Sequence, residues 1–334
     1  MGSYLESHSK TKKMTLKTIK KVLQEYSEKS DSVAKSLGGG QLRTLLSMFY
    51  CTLRYGARPI DYERFEFKRK SAFERDRYMT FLRYFKIAKK IDRKTFTDIS
   101  ANKSRELEIF SDFIHRKWML VDYTTPESEI RSFITKCKAT IAKPEHGEQG
   151  RGIFKLRSEN DIERLISECN SAPYIIEEVI ENAEYIKEIN PSSLNTVRAT
   201  TFVDKTGKVN ILSIILRVGI PGSYVDNWGA GGVGYNFDVE AGICDRPGKD
   251  KKNKRYIFHP GSGKKMLGLE LRNFPELKKY IYRLAYTLLS AKYVGWDIAI
   301  TPSGYELIEM NCPAGHDMFQ SFDNPVYRFF TNNW

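Results

Sequence analysis

Gly295-Trp-Asp-Ile-Ala-Ile-Thr-Pro-Ser-Gly-Tyr-Glu-Leu-Ile-Glu-Met-Asn311 decides the fold of this chain. Two apolar runs flank Pro302-Ser303-Gly304, which reads as a hairpin with a three-residue loop and Gly304 where positive φ is needed. With Thr301 facing Tyr305, Asp297 falls opposite Glu309, and Asn311, two residues on, shares their face. Three oxygen side chains on one face suit a hard divalent cation that also holds phosphate oxygens. Strand carboxylates are often only solvated. Here they sit among apolar neighbours, where an unneutralised Asp and Glu would repel each other.

Two further elements suit a nucleotide. Ala139-Thr-Ile-Ala-Lys143-Pro-Glu-His-Gly147-Glu-Gln-Gly150-Arg-Gly152-Ile-Phe154 reads as a strand delivering Lys143, a loop with three glycines, and a second strand. Glycine lets backbone N–H groups close on phosphate oxygens, and Lys143 supplies a point charge. A plain turn has the same composition, and the spacing fits neither a Walker loop nor a dinucleotide fingerprint. Tyr174-Ile-Ile-Glu177-Glu178-Val179-Ile180 is an apolar strand ending in two carboxylates. Such a step presents backbone groups and a carboxylate to an adenine and its ribose.

In this order the three elements resemble the ATP-grasp superfamily, and more closely its sugar-transfer-associated subfamily, over residues 100–322. The resemblance implies an α+β ATP-grasp fold, two lobes clamping ATP, behind a basic helical front. It implies that Lys103, ahead of a helix, and Lys143 bind ATP, with Gly147, Gly150 and Gly152 in a mobile loop over the phosphates. Glu177 and Val179 would hold the adenine and Glu184 the ribose, with Glu178 also among the ATP-binding residues. Asp297, Glu309 and Asn311 match the magnesium ligands, for two Mg2+ ions. Asn195-Thr-Val-Arg198 is similar to the stretch supplying a phosphate-facing arginine. Residues 1–100 share only the Tyr-Gly-x-x-Pro-x-x-Tyr run at 55–62, onto which no function is carried.

The implied reaction is ATP-dependent carboxylate–amine ligation through an acyl phosphate, on a sugar or amino acid destined for surface polysaccharide. A kinase acting on a small-molecule or sugar hydroxyl is the alternative. A non-catalytic basic adaptor is a third reading, disfavoured by the retained Lys143, Asp297, Glu309 and Asn311. Phosphoryl transfer works by positioning and electrostatics, which agrees with the lack of an obvious Cys–His or Ser–His pair. Cys312 reads as packing. On the acceptor side, Arg217 suits a carboxylate, and Asp226, Asn227, Gly231 and Gly232 lie in a stretch that admits a ligand closely or forms a surface hairpin. His316 and Gln320 follow the metal strand and are placed at the same pocket, while His146 faces solvent.

Composition bounds the rest. The chain has 334 residues, 41% of them hydrophobic, enough for a packed core and against wholesale disorder. Residues 1–100 hold 23 Lys+Arg and 11 Asp+Glu, the remaining 234 hold 31 and 30, so the positive excess belongs to the front. That +12 segment either solvates a helical surface or approaches an anionic partner. Its aromatics, with Tyr78, Phe81 and Phe85 at helical spacing, suit a buried face better than a base-stacking platform, against nucleic acid. No apolar run reaches the roughly 18 residues of a membrane span, and no secretory or myristoylation signal is evident. Five scattered cysteines without Cys-x-x-Cys argue against a disulfide framework or structural zinc. The expectation is a soluble cytoplasmic protein, peripheral at an anionic inner membrane face. Its regions are a basic helical 1–100, a first lobe 101–178 with the phosphate loop, and a second lobe 179–334 with the metal site. Helices are expected over 14–37, 41–55, 62–93 (as one or two helices), 103–120, 159–169 and 274–292, with Gly38–Gly40 as hinge. Strands are expected over 139–143, 152–156, 174–178, 198–203, 209–218, 295–300 and 305–311.

Overall fold

The computed structural model describes residues 16–91, 93–147, 152–222 and 228–333. Gly150, Asp226 and Asn227 lie outside the described residues. The chain divides into two compact units, Met1–Lys89 with His316–Trp334, and Lys90–Gly315.

The first unit is helical. Leu16–Leu37 and Gln41–Tyr55 pack on each other across a turn in which Gly38 and Gly39 take positive φ, and Tyr26 stacks on Phe49 at 4.3 Å. The expected helical run over 62–93 is divided into Pro59–Arg64, Ala72–Asp76 and Phe81–Ile91. Pro59 starts the first piece and a Ser71–Glu74 capping box starts the second. The aromatic stripe is largely core: Tyr62, Phe65, Phe67 and Tyr78 pack with Met48, Cys51 and Tyr55, while Phe73 stays exposed. The chain returns to this unit at its end. Gln320 accepts from the Met79 N–H at 2.8 Å and donates to the Met79 carbonyl at 2.9 Å.

The second unit holds two antiparallel sheets. The smaller orders β1 (Trp118–Val121), β4 (Tyr174–Glu178), β2 (Thr140–Pro144) and β3 (Phe154–Leu156). The larger orders β11 (Gly304–Asn311), β10 (Tyr293–Thr301), β5 (Thr196–Val203), β6 (Val209–Val218), β7 (Val233–Phe237), β8 (Gly248–Lys249) and β9 (Arg255–Tyr256). The pattern over 103–120 is not one helix. A helix over Lys103–Ile109, capped by Asn102, gives way to β1, which pairs Trp118 with Glu177 and Val121 with Tyr174.

Helices cover one face of each sheet. Glu127–Thr135 and Glu159–Cys169 bring Ile130 and Leu165 into one core with Val121, Ala142 and Ile176. Phe274–Thr287 brings Leu277, Ile281 and Leu284 into one with Val197, Leu216, Trp296 and Ile298. Each such core removes several large side chains from water, roughly 1.5–3 kcal/mol apiece.

The β10–β11 hairpin differs from the sequence reading in a way that matters. Thr301 pairs with Gly304, so the loop is Pro302-Ser303 alone, with Gly304 at φ 136°. A bulge then intervenes: Ile298 pairs with Leu307 but Asp297 with Glu309, leaving Ile308 as the extra residue. The shorter loop and the bulge offset each other, and Asp297 meets Glu309 as expected. Among the described residues no helix is long and apolar enough to cross a membrane.

Candidate active site

The face of the larger sheet away from its helix-packed core is polar. One row runs Glu309, Asp297, Arg198 across β11, β10 and β5. A second, two residues along β10, runs Glu306, Ala299, Thr196, Arg217. Asn311 pairs with Gly295, and because alternate residues share a face all these side chains fall on one surface.

Asp297 is its electrostatic centre. Arg198 grips both carboxylate oxygens, Nη2 donating to Oδ2 at 2.8 Å, and Arg217 Nη2 lies 3.0 Å from Oδ2. Burial opposes the charge most, but the two guanidiniums outweigh it and hold Asp297 below the usual carboxylate range. Arg217 also donates to Thr196 Oγ1 through Nε at 3.1 Å and Nη2 at 2.6 Å. A Cβ on Gly295 would come 3.1 Å from Arg198 Cδ, so the missing side chain makes room for the arginine.

The Glu309 side chain has no hydrogen bond or ion pair among the described residues. Glu309 is exposed to solvent, yet the protein atoms around it raise its pKa first and Asp297 raises it further, while Arg198, Lys143 and Lys103 pull it back. Both lysines of the smaller lobe are therefore electrostatic neighbours of the β11 carboxylate. Lys143, on β2, reaches Glu177 Oε2 at 2.5 Å. Lys103 Nζ donates to the carbonyls of Pro144 at 3.0 Å and Gly147 at 3.0 Å.

A buried ion-pair chain joins the sheets. Arg116 lies 3.2 Å from Glu177 through Nε and donates through Nη1 to Glu306 Oε1 at 3.0 Å and the Leu307 carbonyl at 2.6 Å. Burial works against ionised Glu177, but Arg116 and then Lys143 bring its pKa down to about 2. Arg116 and Glu306 do not stand out in the sequence. Two more buried acids share that obscurity. Glu145 accepts from Ser104 N–H and Oγ at the start of the Lys103 helix, and Glu106 accepts from the Met310 N–H at 2.5 Å. Burial, then Glu309, pushes Glu106 well above the carboxylate range.

The other sequence-derived residues are placed as follows. Gly147 and Gly152 border the glycine loop; Gly152 has φ 74° and a Cβ there would meet Pro144 Cγ at 2.8 Å. Glu178 ends β4 and Val179 follows it, their N–H groups donating to the Lys117 and Ala139 carbonyls at 2.9 Å. Glu184 is exposed at the start of the Glu184–Lys187 turn, and Gly231 and Gly232 lead into β7. His146 is exposed, its Nδ1 2.9 Å from the Ala101 carbonyl, and Cys312 is buried. His316 and Gln320 belong to the helical unit, where His316 stacks on Tyr84 at 4.4 Å.

The candidate cation ligands are partly engaged with one another: Asp297 gives both oxygens to Arg198, one of them also to Arg217, and accepts from Asn311 Nδ2 at 3.4 Å. Among the described residues no group of three or more His, Cys, Asp or Glu gathers for a metal. Asp297, Glu309 and Asn311 instead offer two carboxylates and an amide oxygen, hard donors that leave room for water and phosphate. The Glu309 side-chain oxygens are unengaged among the described residues and lie beside a second carboxylate.

Several solved structures match the chain at low similarity. D-alanyl-alanine synthetase A from Vibrio cholerae O1 biovar eltor str. N16961 matches at 14% identity and TM-score 0.46, covering 70% of this chain and 63% of that one. The ATP-grasp ligase PsnB complexed with minimal precursor matches at 16% and 0.43, covering 70% and 60%. N5-carboxyaminoimidazole ribonucleotide synthetase from Thermotoga maritima matches at 10% and 0.41, covering 67% and 44%. This chain thus spans less than two thirds of each. No curated protein matches it. The model of one family, described as sugar-transfer associated ATP-grasp, matches residues 86–327, which include both sheets, and the chain belongs to that family.

Proposed function

We propose that this protein is an ADP-forming, ATP-dependent carboxylate–amine ligase working through an acyl phosphate. The observation that carries the reading is the β10–β11 face, where Asp297, Glu309 and Asn311 stand beside Arg198 and within electrostatic reach of Lys103 and Lys143. ATP lies between the sheets. Its adenine meets the Glu177–Val179 carbonyls, its ribose meets Glu184, and the 147–152 loop covers the phosphates. Lys103 and Lys143 exchange their carbonyl and Glu177 partners for phosphate oxygens. Asp297, Glu309 and Asn311 would hold magnesium, which when bound neutralises and aligns the triphosphate.

A substrate carboxylate attacks the γ-phosphorus as the bond to ADP breaks, with Arg198 and the lysines stabilising the charge on the transferring group. An amine then attacks the acyl carbon, loses a proton and expels phosphate. Gly231 and Gly232, with Arg217, face the acceptor, a sugar or amino acid of a surface polysaccharide. The test supplies ATP, magnesium, hydroxylamine and pools of amino acids and uronic acids. ADP formed together with a hydroxamate is the expected result. ADP with a phosphorylated hydroxyl and no hydroxamate would make the protein a kinase and reject ligation.

A further inference from the structure

The helix Gln41–Tyr55 is apolar on two sides. One packs inward through Met48, Cys51 and Tyr55. The other carries Leu42, Leu46, Phe49, Tyr50 and Leu53, whose spacings of four, three, one and three residues align them in one stripe. The stripe faces water: Leu42 is 69% exposed, Leu46 61% and Leu53 88%. Val22 and Leu23, both exposed, extend it on the neighbouring helix, whose Tyr26 stacks on Phe49. A contiguous apolar surface of this kind marks an interaction site rather than ordinary surface variation.

Charge identifies the occupant. Arg43 and Arg54 fall along one margin of the stripe, and residues 16–55 carry seven Lys+Arg against three Asp+Glu. Two copies meeting through this face would bring like charges together, which is unfavourable. A nucleic acid offers anions but no apolar layer. A bilayer with anionic headgroups offers both, in the order the helix presents them.

We infer that this face docks the protein on an anionic lipid surface, the leucines and Phe49 entering the headgroup–acyl boundary while Arg43 and Arg54 meet headgroup phosphates. Tyr50, amphipathic at the stripe's edge, suits the boundary itself. The inference stands apart from the ligase reading. It adds an apolar anchor to the electrostatic attraction expected of the basic front.

The full chain is sedimented with phosphatidylcholine vesicles with and without phosphatidylglycerol, at low and moderate salt. Binding to the anionic vesicles is expected, weakened by salt and by Arg43→Gln/Arg54→Gln. Leu46→Ser/Leu53→Ser, at solvent-facing positions and checked for an unchanged thermal melt, lowers binding roughly tenfold or more, and Leu46→Phe/Leu53→Phe restores it. No vesicle binding, or equal binding by the double serine variant, overturns the inference. So does a serine variant that turns a dimer into a monomer while the wild type ignores vesicles, because the stripe is then a self-association face.

Discussion

Arg198 on β5 and Asp297 on β10 are register partners, and the guanidinium of one grips the carboxylate of the other. The pair sits beside Glu309, so the arginine fixes one carboxylate of the candidate metal set. Gly295→Ala places a methyl 3.1 Å from Arg198 Cδ. We expect a stability loss of about 1–3 kcal/mol from overpacking. We also expect ATP turnover to fall roughly tenfold or more through the displaced arginine. Thermal melts and ADP release, measured on the same preparation, check both.

The ion-pair chain through Glu177 makes stability depend on acid. Its folded pKa of about 2 lies below the ordinary value of 4.5, so the stabilisation is present above 4.5 and is lost as pH falls from there toward 2. Glu177→Gln leaves Arg116 and Lys143 without their shared partner, at a cost of about 3–5 kcal/mol near neutrality. Urea melts across this window should show the wild-type advantage shrinking as pH falls. A difference independent of pH would speak against the pairing.

Much of this architecture is legible in the sequence. β4, β6 and the helices Gln41–Tyr55 and Glu159–Cys169 fall at the expected residues, because apolar periodicity and turn glycines agree there. The Asp297–Glu309 opposition is also legible, although through a loop one residue too long and without the bulge that corrects it. The bulge itself is not legible, and its cost is Glu306. Strict alternation puts Glu306 and Glu309 on opposite faces of β11, and only the extra residue at Ile308 turns them to the same side. Arg116 is hidden for another reason. Its meaning comes from Glu177 and Glu306, 61 and 190 residues away, and no local pattern records such a partnership. The return of the chain after Gly315 to the helical unit is likewise set by tertiary pairing, Gln320 with Met79.

Lys103 ties the carbonyls of Pro144 and Gly147, holding the near end of the glycine loop. We expect ATP with magnesium to draw that lysine to phosphate and the loop over the nucleotide, as lids close on bound substrate. Trypsin cleavage near Arg151 should slow when both are present. Lys103→Met should abolish the protection. Equal cleavage with and without nucleotide would reject the lid.

Glu309→Gln is the most direct test of the site. The substitution keeps the shape of the side chain but removes the charge that would hold magnesium against the triphosphate. With ATP, magnesium, hydroxylamine and the carboxylate pool, ADP formation should drop roughly 10²-fold or more, the scale for loss of one charge-stabilising group. Calorimetry on the same variant should find nucleotide still bound. Turnover within a few-fold of wild type would contradict the assignment of the β10–β11 face as the catalytic centre.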